Sequence, residues 1–330
     1  MPNVTKRIQE IYAERGLMSF RDVPFQAQME CFQDFEYEIL EKLCYSKNIN
    51  PSTVVVDEQN LNRDFVCNHT EFKWCYNPRD ILNTIKKLNR FENKSPDVMF
   101  NFLSGNYHFS RVKLLEKFFN KGLLNDDTTY WSQYRFFNND RHGFEKEFLQ
   151  FLAQFYPRTF KADRFYNEYP ENLDIPGDVY INDTNNQDTY IFENSLISIV
   201  VDTMSNLDCG TYIDNDAINS TYHNVYPTIK TFKPILHKRP FITTIGKCSH
   251  NLPMLRQLGF ETFHSVWDET YDTLPYTQRI DAISELCYNL SKLDTKELYR
   301  HTKDICEHNY NVLINTDWAQ FTADCLDQQL

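Results

Sequence analysis

Five basic residues fall within ten positions, Lys230, Lys233, His237, Lys238 and Arg239, in a chain whose formal net charge is −12. They lie in YPTIKTFKPILHKRPFITTIG, residues 226–246. Pro234 is best tolerated in the first turn of a helix, where its missing N–H costs nothing. The pattern therefore predicts a short helix, with Thr231 as its N-cap or a kinked start at Thr228. An apolar run at 241–245 then reads as a strand. The unpaired N–H groups and dipole at a helix start bind phosphate, and Lys230 would add a full charge. Without a ligand, the same residues describe a surface helix with a solvated basic face.

A second group sits in LSGNYHFSRVKLL, residues 103–115. A strand, a polar turn and a helix would place His108 and Arg111 at the C-terminal edge of a sheet, where open α/β folds bind ligands. Arg111 suits a diphosphate clamp, and His108 is the candidate general base. Their ordinary roles would be a turn cap and an ion pair. Asp214 and Asp216 have the spacing to share a divalent ion, yet the same triplet describes an irregular loop. Glu193 and Asp202 flank an apolar strand. Asp268, Glu269 and Asp272 form an acidic turn whose ordinary role is helix capping and solvation. Cys67, His69 and Cys75 match no zinc spacing, so no metal or cofactor is expected.

Elements must carry these groups. Helical spacing appears in 25–45, 79–91, 145–158, 251–260, 277–293, 295–313 and 317–326. Strands are predicted at Thr53 to Asp57, Val98 to Leu103, Leu196 to Val201 and 241–245. Ser110 reads as the cap of a helix with Val112, Leu115, Phe118 and Phe119 on one face, broken by Gly122. The strand–loop–helix order is that of an α/β protein. The Asn-, Asp- and Pro-rich stretch 158–188 reads as a connection.

The bulk composition narrows the function. At 330 residues, with about 150 per domain as a guide, two domains are expected. Only 8 glycines are present, so a phosphate site would rest on side chains and helix ends rather than a glycine-rich loop. Basic residues are local rather than spread over a face, which argues against a nucleic-acid partner. The longest strongly apolar run, Leu196 to Val201, is far short of the ~20 residues a membrane span needs. The polar, charged start of the chain does not read as a secretory signal. Nine scattered cysteines suit reduced thiols in a cytosolic setting.

FLSGNYHFSRVKLLEKFFNKGLL, ENSLISIVVDT, IKTFKPILHKRPFI and LRQLGFETFHSVWDETYD, in that order, resemble a glycosyltransferase-like family of bacteriophages, large viruses and bacteria. The C-terminal half is more distantly similar to the nucleotide-sugar domain of α1,3-fucosyltransferases. The resemblance covers roughly residues 97–290. It implies a GT-B-like α/β fold, with two Rossmann-like domains facing a cleft and C-terminal helices. The domains would be 1–157 on the acceptor side, a connection at 158–188, a nucleotide-sugar domain at 189–293 and helices at 294–330.

The implied activity moves a sugar from a nucleotide diphosphate donor to an acceptor hydroxyl on a glycan or protein. Lys230 and Arg111 would meet the donor phosphates. Thr228, Thr231, Glu193, Asn194, Ser195 and Asp202 would complete the donor site. The chain departs from the family pattern where Ile229 replaces a glutamate expected to hold the donor ribose. Asp202 stands in a Thr-Glu-Thr position, and Gly105, Asn106 and Tyr107 replace an Asn-Arg pair. These changes raise the alternative of a catalytically degenerate, structural or binding protein, for example a virion component. The expected location is the cytoplasm, the host's if the chain is viral, or a virus particle.

Overall fold

The structure, a computed structural model, describes residues 4–19, 22, 41–56, 71–74, 78, 81–82, 95–104, 109–125, 127–133, 144–155, 187–202, 227, 229–245 and 251–327. The fold is α/β, with two parallel sheets. Helix α1 (Val4–Glu14) leads into β1 (Met18–Ser19), followed by β2 (Val54–Val56) and β3 (Lys73–Trp74), which form the first sheet in the order β1-β2-β3. The second part contains β4 (Val98–Ser104), α2 (Phe109–Asn120), β5 (Thr129–Gln133), α3 (Lys146–Phe155), α4 (Gln187–Asn194) and β6 (Ser195–Asp202). It continues with α5 (Ile229–Leu236), β7 (Phe241–Ile245), α6 (Asn251–Gln257), α7 (Tyr276–Leu290), α8 (Thr295–Asn315) and α9 (Trp318–Asp327).

The second sheet has the order β5-β4-β6-β7, all parallel. Its middle strands are buried on both faces, from Val98 to Phe102 and from Ser195 to Val201. That explains why they read as continuous apolar runs rather than alternating ones. Aromatic residues fill the layer beneath α2. Phe118 meets Phe100 and Phe102 edge-on, at ring separations of 6.2 and 5.7 Å. These offset geometries suit the ring quadrupoles.

The pairing of β4 with β6 corrects the expected domain boundary. Val98 pairs with Ser195, and Phe100 with Ile197. The 158–188 boundary therefore falls between two neighbouring strands of one sheet, not between two sheets. Strand β5 and helix α4, absent from the sequence-based elements, complete this layer. Pairing partners far apart in the chain leave no local signature, and an Asn-rich stretch looks like a linker wherever it lies.

The break between the sheets comes earlier, and the last helix crosses it. Val55 of β2 packs with Ile11 and Tyr12 of α1 and with Ala319, Ala323 and Leu326 of α9. Val54 and Val56, on the other face of the strand, join the main core. Arg15, just past α1, holds Asp327 at the end of α9 through two hydrogen bonds of 2.6 and 3.2 Å. Thus α9 covers the first sheet although it ends the chain.

Among the described residues, Cys44, Cys287 and Cys306 are free thiols. No helix among them is long and apolar enough to cross a membrane.

Candidate functional site: the strand-order reversal between β4 and β6

Chain order runs outward from β4 to β5 on one side and from β6 to β7 on the other. The two crossovers therefore run in opposite directions. Right-handed connections then place α2 and α5 on opposite faces of the sheet. Their packing partners agree: α2 lies against α3 and α7, whereas α5 lies against α8. The helices that follow β4 and β6 thus lie on opposite faces beyond the C-terminal ends of these two neighbouring strands. Such a switch point is where open parallel sheets bind ligands.

Arg111 stands at this point. It lies in the first turn of α2 and is only 3% exposed. Its Nε donates to the carbonyl of Val201, the next-to-last residue of β6, at 3.0 Å. One guanidinium thus ties the helix after β4 to the end of β6. Ser110 beside it is also buried, and its hydroxyl has no hydrogen-bond partner. It is not the helix cap, because α2 already starts at Phe109.

Lys230 approaches the same edge from the other face. Helix α5 begins at Ile229, and Lys230 is half-buried in its first turn. Of the two expected starts, the earlier, kinked one is therefore the closer. Pro234 lies inside the helix and removes the N–H that would have met the Lys230 carbonyl. Thr231 is corrected as an N-cap. It sits in the helix with its side chain fully buried, 3.4 Å from the Thr243 hydroxyl. Starting the helix at Ile229, three residues before the Phe232 start that a Thr231 cap would give, turns this side chain onto the sheet.

The basic cluster does not form one site. An eight-residue helix spans about 12 Å, and the cluster is divided between its two ends. His237 stacks on Phe192 with ring centres 4.6 Å apart. Lys238 adopts a left-handed φ of 50° past the helix end, and its ammonium meets Glu307 at 2.7 Å and the Tyr310 ring at 4.5 Å. Arg239 is 1% exposed and lies over the Tyr299 ring. It donates to the carbonyls of Phe192 and Glu193, the last turn of α4. Burial pulls its pKa down, opposed by Tyr299 and Glu193. These three residues brace the N-terminal edge of the sheet, away from the switch point.

Glu193, Asn194 and Ser195 are placed at that same N-terminal edge. Ser195 begins β6 and Asp202 ends it, about 23 Å away at 3.3 Å per residue. The Glu193 carbonyl is taken by Arg239, and the Asn194 carbonyl accepts from the Asp97 N–H at 3.0 Å. The Ser195 hydroxyl donates to the Ile191 carbonyl at 2.6 Å. The expected grouping of this triplet with Lys230 is therefore corrected. A sequence motif gives no indication of which end of a strand it occupies until the strand is placed.

The acidic turn performs its ordinary role. Asp272 accepts from the Leu252 N–H at 2.9 Å and so caps α6. Glu269 accepts from the Phe263 N–H and pairs with Arg256 at 3.0 Å. Asp268 accepts from Thr270. The Asp202 backbone ends β6 at the switch edge. His108, Thr228, Asp214, Asp216, Gly105 to Tyr107 and the Cys67, His69 and Cys75 trio lie outside the described residues. Among the described residues, no group of three or more His, Cys, Asp or Glu side chains is placed to hold a metal ion.

Comparison of the chain with family models, with curated proteins and with solved structures gives no match.

Proposed function

We propose that the chain is a glycosyltransferase that moves a sugar from a nucleoside diphosphate donor to an acceptor hydroxyl. The donor diphosphate would lie in the crevice between the ends of β4 and β6. The observation that carries this reading is the strand-order reversal between β4 and β6, where Arg111 in the first turn of α2 reaches the Val201 carbonyl and Lys230 lies in the first turn of α5, the helix on the opposite face.

Departure of a nucleoside diphosphate from an oxocarbenium-like sugar builds negative charge on the leaving oxygens. Fixed cations and a helix N-terminus stabilise that charge without reorganising. Lys230 and the start of α5 would supply this on one side, and Arg111 would orient the phosphates on the other. The acceptor hydroxyl must lose its proton to a base, a role open to His108 in the segment between β4 and α2. The presence of two parallel sheets is the feature that favours a GT-B arrangement.

Thermal unfolding with UDP, GDP, CDP and ADP tests the reading. One nucleotide should stabilise the protein, by about 2.7 kcal/mol at a hundred times its Kd. Lys230→Ala should weaken that nucleotide about tenfold. If none of the four stabilises the wild type, the reading fails. That outcome favours the degenerate scaffold, which Ile229 at the first position of α5 already recommends.

A further inference from the structure

A strand buried on both faces has no polar–apolar alternation to specify its register. Both β4 and β6 are of this kind. In β4 the residues from Val98 to Leu103 include one polar side chain, Asn101, which is 3% exposed. Its Nδ2 donates to the hydroxyls of Ser195 at 2.8 Å and Ser198 at 2.9 Å, both on β6. The directions are forced. Ser195 spends its single proton on the Ile191 carbonyl, so it can only accept from Asn101.

We infer that Asn101, Ser195 and Ser198 form a register lock that positions the switch point. Asn101 pairs across the strands with Ser198. A one-residue slip would set it opposite Ile197 or Ile199, and a two-residue slip opposite Leu196 or Val200. Each leaves the buried amide facing aliphatic side chains, where an unpaired polar group is costly. The apolar residues around it interchange far more cheaply. A one-residue slip moves the end of β6 about 3.3 Å relative to β4. That is enough to separate the Arg111 Nε from the Val201 carbonyl and to displace Arg111 relative to Lys230. Asn101 is thus a positioning residue, remote from any bound phosphate. Its consequence for ligand binding rests on the proposed donor site, while the register itself does not.

The test is the triple variant Asn101→Leu, Ser195→Ala, Ser198→Ala. It removes donor and acceptors together and so leaves little unpaired polarity. NMR of deuterated protein reads the β4–β6 register from contacts between Phe100 and Ile197. The expected result is a folded protein with more than one set of β4 and β6 resonances. Whichever of UDP, GDP, CDP or ADP stabilises the wild type should bind about tenfold or more weakly. One set of resonances in the wild-type register would overturn the lock, and wild-type affinity beside a doubled set would overturn its consequence for the donor site. If the triple variant does not fold, Ser198→Ala decides: doubled resonances support the lock, and a single wild-type register sinks it. If no nucleotide binds the wild type, the donor site fails while the resonance count still judges the lock.

Discussion

The Arg111 guanidinium reaches across the strand-order reversal and donates to the Val201 carbonyl at 3.0 Å. This bond joins the helix that follows β4 to the end of β6, and both partners are buried. Arg111→Lys keeps the charge but loses the planar donor fork. It should cost about 1.5–3 kcal/mol in chemical unfolding, the range for a hydrogen bond from a charged group. The stabilising nucleotide should bind more weakly as well. A variant with wild-type stability and wild-type affinity would show that the contact is idle.

The opposite edge of the sheet offers a contrast between neighbours. Arg239 is fully buried and holds two carbonyls of α4, whereas Lys238 pairs with a partly exposed Glu307. Arg239→Met should destabilise by about 3 kcal/mol, because the buried Phe192 carbonyl and the partly buried Glu193 carbonyl lose their donor. Lys238→Ala should cost under about 1 kcal/mol. Neither should change nucleotide affinity when the protein remains folded. Urea titration and calorimetry on both variants check this, and a selective loss of binding in Arg239→Met would reassign the basic cluster to the ligand.

Helix α9 covers the first sheet from the far end of the chain. Deleting residues 317–330 should expose Ile11, Tyr12 and Val55. The expected outcome is dye binding to apolar surface and loss of cooperative unfolding, with the parallel β5-β4-β6-β7 sheet retained in hydrogen exchange. Arg15→Ala alone should shift stability by less than about 1 kcal/mol, because the Asp327 pair is largely exposed. A truncated chain that unfolds as sharply as the full one would show α9 to be dispensable.

Lys121, just past the end of α2, donates to Glu285 on α7 at 2.7 Å, and this hydrogen bond holds the carboxyl below its ordinary value of 4.5. A depressed folded-state pKa adds stability above the unfolded value and loses it as pH falls through the folded one. The pair's contribution should therefore be intact at neutral pH and fade as pH falls from 4.5 through the lower folded-state value. NMR titration should find the Glu285 midpoint returning upward in Lys121→Ala. An unchanged midpoint in that variant would remove Lys121 as the cause.

The sequence by itself determined the local pieces. Helical periodicity marked α7, α8 and α9, apolar runs marked β4, β6 and β7, and Arg111 was assigned to the helix after β4. These follow from interactions within a few residues, which composition and spacing carry directly. The acidic turn at Asp268 to Asp272 was likewise legible as capping. The lone Asn101 in an apolar run was a visible signal whose partners were not.

Tertiary structure alone decided which strands are neighbours, and with that which end of β6 each motif occupies. It placed Ser195 and Asp202 at opposite edges, divided the basic cluster between the two ends of α5, and brought α9 back to α1. Strand pairing joins residues a hundred positions apart through backbone groups that every residue shares. Side-chain types therefore hold little record of it, and only the packed chain shows which carbonyl Arg111 reaches.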